Sequence, residues 1–217
     1  MRVRKLLGIL VVGGLFLVAV PAWAQFRANS VAISGFAGIN IADLGNTIEA
    51  AAANVDNVRT APSLNLAVEY VTASPWIGIE FGGNFTPASI QLIAPIATPD
   101  INFQFNHWYL TGNAVFHILP DRSVVPYLTA GAGIVILDPE LGDSQTKFVF
   151  NGGGGVDIFG VRTERTSVAL RLDGRFYLYS LRAADLDAAT VAELGLPAGF
   201  DRTLSDLVLS AGLRVTL

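Results

Sequence analysis

Hydrophobic and polar positions alternate with a period of two along most of the chain. The alternation is cleanest over Ser167–Tyr179, which reads S-V-A-L-R-L-D-G-R-F-Y-L-Y. Val168, Leu170, Leu172, Phe176 and Leu178 share one parity with Gly174, and Arg171, Asp173, Arg175, Tyr177 and Tyr179 share the other. A period of two is the mark of a β-strand whose two faces meet unlike surroundings. The same pattern predicts strands over Val31–Ile41, Ser63–Val71, Trp76–Phe85, Phe103–Leu119, Pro126–Ile136, Lys147–Phe159 and Leu204–Leu217. In the fourth of these, Phe103 and Phe105 fall on the polar parity, which predicts a β-bulge near Asn106.

The segments between the strands alternate in length. Thr72-Ala73-Ser74-Pro75, Pro120–Val125 and Gly160–Arg165 are short and turn-like. Ala42–Pro62, Thr86–Ile101, Leu137–Thr146 and Ser180–Thr203 are longer, and Asn46–Asn54 and Ala184–Leu194 within them read as short helices. Eight strands joined by long and short connections in alternation predict an all-β, antiparallel, up-and-down barrel with one short-turned rim and one looped rim.

Composition decides what surrounds that barrel. The chain opens with a basic run, Met1–Lys5, then an apolar stretch, Leu6–Val20, then Ala22 and Ala24 in an A-x-A pattern. These are the three parts of a cleaved export signal, so residues 1–24 are expected to leave and 25–217 to form the barrel domain. Beyond residue 24 there are eleven basic residues and eighteen acidic ones, a net charge of −7, and Lys147 is the one lysine. A basic footprint for nucleic acid is missing. The lack of cysteine excludes disulfides and thiol chemistry. The remainder is strongly apolar yet has no long apolar run. A membrane chain without spanning helices must close its backbone hydrogen bonds around a barrel.

The apolar parity is therefore assigned to lipid and the charged parity to the lumen. A soluble barrel would carry the reverse arrangement, with a lysine-rich outer face. Aromatic residues near strand ends support the membrane assignment: Tyr70, Trp76, Phe116 and Phe159 at the turn ends, and Phe85, Phe103, Phe148, Phe150, Phe176 and Tyr179 at the loop ends. The lumen is then expected to hold a charge network of Glu69, Glu80, Asp157, Arg171, Asp173, Arg175, Asp206 and Arg214. Charges shut away from water must be paired, and arginine forks suit carboxylates. Arg171 and Arg175 flank Asp173 on one face and are the expected centre of the network. Glycines 131, 133, 153 and 155 share the lumen parity and leave room for bulky side chains of neighbouring strands.

The pattern resembles the small eight-stranded outer-membrane β-barrel family, including the OmpA barrel domain and OmpX-like proteins. The resemblance rests on Pro126–Gly133 (P-Y-L-T-A-G-A-G), Asn151–Asp157 (N-G-G-G-G-V-D), Leu170–Tyr179 and Ser210–Leu217. It implies residence in the outer membrane of a Gram-negative-type cell among phospholipid and lipopolysaccharide. It also implies assembly by periplasmic chaperones and the barrel-insertion machinery, as a monomer. Barrels of this kind commonly end in Phe, where this chain has Leu217.

Function is less sharply written. The two histidines, His107 and His117, are distant in sequence and sit in no Ser-His-acid or metal-ligand spacing, so neither catalysis nor a cofactor is expected. Gly152–Gly155 lies within a strand, with no helix and Lys-Ser/Thr to follow, and is not a phosphate loop. The expected role is non-enzymatic, structural or weakly pore-forming. The acidic loops offer adhesion or partner binding as an alternative, with lipid modification a further one.

Overall fold

The structure, a computed structural model, describes residues 28–42, 60–92, 101–139, 144–163, 166–182, 199 and 201–217. The export signal and both loop helices read from the sequence lie outside these residues. Eight strands make up the described chain: β1 (Ser30–Ala42), β2 (Ala61–Val71), β3 (Ile77–Leu92), β4 (Ile101–His117), β5 (Val124–Pro139), β6 (Gln145–Arg162), β7 (Ser167–Arg182) and β8 (Asp201–Thr216). Each pairs antiparallel with its sequence neighbours, and β8 pairs back onto β1 to close a barrel in the order β1 to β8. Closure leaves no sheet edge, which is what a sheet in hydrocarbon requires.

The two faces separate as the alternation demands. Outward-facing Phe81, Leu66 and Leu64 are 68%, 62% and 61% exposed, whereas Glu80, Asp157, Arg171 and Arg214 are fully buried inside. Such a distribution is inverted relative to a water-soluble protein and matches a barrel whose outer surface meets lipid.

Short turns gather at one rim. Thr72 caps the first of them, its amide donating to the Ile77 carbonyl at 2.9 Å and its hydroxyl to the Ser74 carbonyl at 3.0 Å. Leu119, in the second, adopts φ 58°, the left-handed region that favours glycine. In the third, the Thr163 amide donates to the Thr166 carbonyl at 2.8 Å. Above this rim Val71, Val125, Phe159 and Ala169 form an apolar floor to the lumen.

Four sequence expectations are corrected. The strand expected to stop at Phe85 continues to Leu92, because Pro87 is tolerated where the strand is paired on one side only. The register between β4 and its neighbours is continuous through Asn106, so no bulge lies there. The irregularity is instead on β6, between Phe159 and Val161. Phe159 and Tyr179 do not join the aromatic girdles; both have lumen parity and are buried. Tyr70, Trp76 and Phe116 are exposed at the turn rim, and Trp76 and Phe116 lie 6.1 Å apart. Phe148, Phe150 and Phe176 are exposed toward the loop rim.

Candidate functional site: the charged lumen

The site begins with an arrangement that would be unfavourable alone. Glu69 on β2 and Glu80 on β3 are direct cross-strand partners, so two carboxylates share one inner face. Both are buried, at 1% and 0% exposure. The opposite wall supplies the counter-charges. Arg214 on β8 donates a hydrogen bond from Nη1 to Glu69 Oε2, and Arg175 on β7 brings Nη1 to 2.8 Å from Glu80 Oε1.

Arg171 spans the space between. Its Nη1 lies 3.3 Å from Glu80 and 3.6 Å from Glu69, and its Nε lies 3.4 Å from Asp157, its cross-strand partner on β6. Asp157 also lies 3.6 Å from Arg214 Nη1. The Tyr127 ring stands 4.0 Å from the Arg171 guanidinium carbon, a cation–π contact in a desolvated setting. Arg175 completes the set with a two-point fork onto Asp173, at 2.9 and 3.2 Å. The Tyr127 hydroxyl donates to the same carboxylate.

Seven of the eight residues singled out from the sequence thus meet in one continuous lattice, and the eighth, Asp206, meets a set of aromatic side chains. It accepts hydrogen bonds from the hydroxyls of Tyr109 and Tyr179 and lies 3.5 Å from His107 Nδ1. Arg171 and Arg175 are joined through Glu80, which both contact. Of this pair, expected at the centre of the network, Arg175 contacts the flanked Asp173, while Arg171 is directed at Asp157 and the two glutamates.

Several members were not singled out beforehand. His117 places Nε2 2.6 Å from Glu69 Oε1. Asn113 donates to Glu80 at 3.1 Å and accepts from Asn151 at 2.8 Å, extending the lattice across β4 to β6. Tyr109 and Tyr177 stack at 4.3 Å one level up. Inward parity was the available signal for each, but strand stagger decides which inward residues share a level, and the alternation carries no information about stagger.

Glycines make this crowding possible. A Cβ at Gly155 would strike the Tyr127 hydroxyl and the Leu172 carbonyl oxygen. A Cβ at Gly131 would strike Asn113. The space left beside Phe36, Asp173, Arg175 and Tyr177 is a cavity of about 10 Å³, room for the centre of one water. Among the described residues no group of three or more His, Cys, Asp or Glu side chains is arranged to hold a metal ion.

Comparison with known proteins agrees with the fold. A family model described as outer membrane protein beta-barrel domain matches residues 10–206. Neisserial surface protein A is similar at 15% identity and TM-score 0.56, over 85% of this chain and 96% of its own. The outer membrane protein OprG of Pseudomonas aeruginosa is similar at 11% identity and TM-score 0.51, over 89% and 98%. At such identities the likeness is one of architecture. No curated protein sequence matches the chain.

Proposed function

This chain belongs to the outer membrane protein β-barrel domain family, and from that premise we propose that it is a non-enzymatic structural barrel whose lumen is closed by an ion-paired plug. Its place is the outer membrane of a Gram-negative-type cell, with lipid around the apolar band. The observation that carries the proposal is the lattice centred on Arg171: three acids on three strands share one guanidinium, and the adjoining cavity holds no more than one water. A solute cannot pass without breaking several buried ion pairs at once, each costly to separate in a low-dielectric interior.

Planar-bilayer recording tests this. The wild-type barrel should show no steady conductance, and the Arg171→Ala/Arg175→Ala double variant should show brief openings or unfold more readily. Steady wild-type current would refute the closed plug and leave a narrow pore as the better reading. Loop-mediated adhesion falls largely on residues outside those described; loss of cell-surface binding on deleting residues 183–198, with the barrel intact, would favour it. Residues 1–24 are proposed as the export signal. The barrel-insertion machinery and periplasmic chaperones are proposed as its assembly partners.

A further inference from the structure

The looped half of the barrel is built in two pieces. The β2–β3 ladder ends at Leu64–Phe85 and the β6–β7 ladder at Val149–Tyr179. All four of these strands carry on with their other neighbour. β2 stays on β1 to Ala61 and β3 on β4 to Leu92, while β6 stays on β5 to Gln145 and β7 on β8 to Arg182. In a ring of eight, the two gaps stand four strands apart, on opposite sides. Toward the looped rim they leave two lips, one of β3 to β6 and one of β7, β8, β1 and β2. A cavity of about 520 Å³ occupies the second gap, lined by Phe148 and Phe150 from one lip and by Leu178 and Ser180 from the other.

The lips are tied together inside the lumen. Asp206 on β8 belongs to one lip, and His107 and Tyr109 on β4 belong to the other. The Tyr109 hydroxyl donates to Asp206 Oδ2, and His107 Nδ1 lies 3.5 Å from the same oxygen. Tyr109 also stacks on Tyr177 of the lip opposite, at 4.3 Å. Register puts these contacts beside the roots of both gaps. Tyr109 pairs with Asn84, next to Phe85 where the first gap begins, and Asp206 pairs with Tyr177, two residues from Tyr179 where the second begins. Asp206, Tyr109 and His107 are all buried, and a hydrogen bond to a carboxylate is strong in such a setting. The plug lattice does not need this arrangement, and the split rim does.

We propose that the looped half of the barrel opens and closes as two lips, with Asp206 as the clasp that holds them shut above the plug. Released, the lips part at both gaps and uncover the upper lumen. The turn rim, where all eight strands are joined in one ring, stays fixed and acts as the hinge base. The inference goes beyond the closed plug and is independent of whether the lumen conducts.

The test is a distance measurement between spin labels by double electron–electron resonance, on the barrel in lipid nanodiscs. The chain has no cysteine, so labels go only where cysteines are introduced. Ile41→Cys on β1 with Asp138→Cys on β5 reads the separation of the lips. Ala73→Cys with Thr163→Cys reads the turn rim. Wild type should give one narrow distance at each rim. Asp206→Asn should add a second population across the looped rim, longer by about 5 Å, one strand spacing. Tyr109→Phe releases the clasp from the other lip without changing charge and should add the same population. The double variant should show no more of it than the larger single effect, since both remove one interaction. Tyr179→Phe should leave the distance narrow, because Tyr179 donates to Asp206 from the same lip. If Asp206→Asn fails to assemble, the contrast between Tyr109→Phe and Tyr179→Phe decides alone. An unchanged looped rim in Tyr109→Phe, equal broadening in Tyr179→Phe, or equal broadening at the turn rim would each overturn the proposal.

Discussion

Arg171 shows how much one inward side chain can be asked to do. It is fully buried and shared by Glu69, Glu80 and Asp157. Arg171→Ala leaves three carboxylates with fewer counter-charges in a dry space, and should cost about 3–5 kcal/mol in reversible urea unfolding from lipid vesicles. Arg171→Lys keeps the charge but loses the fork that reaches several carboxylates, so it should recover only part of the loss. A lysine variant as stable as wild type would mean that the charge alone matters. Glycine supplies the complementary case. Gly155→Val should destabilise by about 1–3 kcal/mol or prevent folding, because its side chain must displace the Tyr127 ring from Arg171. Gly35→Ala, on the lipid face with nothing within 4 Å, should show no loss in the same assay. At this scale the sequence tells which residues are inside, since alternation alone assigns Glu69, Arg171 and Arg214 to the lumen. It does not tell that Arg171 turns to Asp157 while Asp206 meets Tyr109, because those meetings depend on how far each strand is shifted against the next.

Among the elements, the β2–β3 hairpin has a second opening at the looped rim, of different origin. The ladder ends at Leu64–Phe85, and one step beyond Ser63 and Thr86 the positions that would face each other are Pro62 and Pro87. Neither can donate a ladder hydrogen bond. Pro62→Thr/Pro87→Thr should therefore extend the ladder. Hydrogen exchange by NMR should show new protection of the amides at residues 61–63 and 86–88, and unchanged exchange there would assign the opening to another cause. All eight strands were legible because each crosses a boundary between apolar and polar surroundings, which imposes the period. The outer extension of β3 was not, although that of β4 was read from Phe103 onward: above the hydrocarbon the constraint relaxes while backbone pairing continues from Thr86–His107 to Leu92–Ile101. The turns were legible from Pro and Ser clusters such as Thr72–Pro75.

For the whole molecule, charge is segregated by depth. The lattice residues are at most 9% exposed. The Debye length falls from about 10 Å at 0.1 M salt to about 3 Å at 1 M, but mobile ions screen only what they can approach. Urea midpoints in vesicles should therefore stay nearly constant between those salt concentrations. A marked drop would mean that the lattice is reached by bulk electrolyte, and with it that the plug is leaky.

The pairing of β1 with β8 sets Ala32 against Thr216 and lets the Leu217 amide donate to the Val31 carbonyl at 2.8 Å. Every other ladder joins consecutive segments and can zip as soon as they emerge. This one must wait until nearly the entire polypeptide has been placed, since it closes the largest loop the chain can form. Assembly thus has seven quick local steps and one slow remote one. Linking the two ends and reopening the chain at the 163–166 turn would hand the slow step to β6 and β7. The finished ring would be the same, reached in a different order.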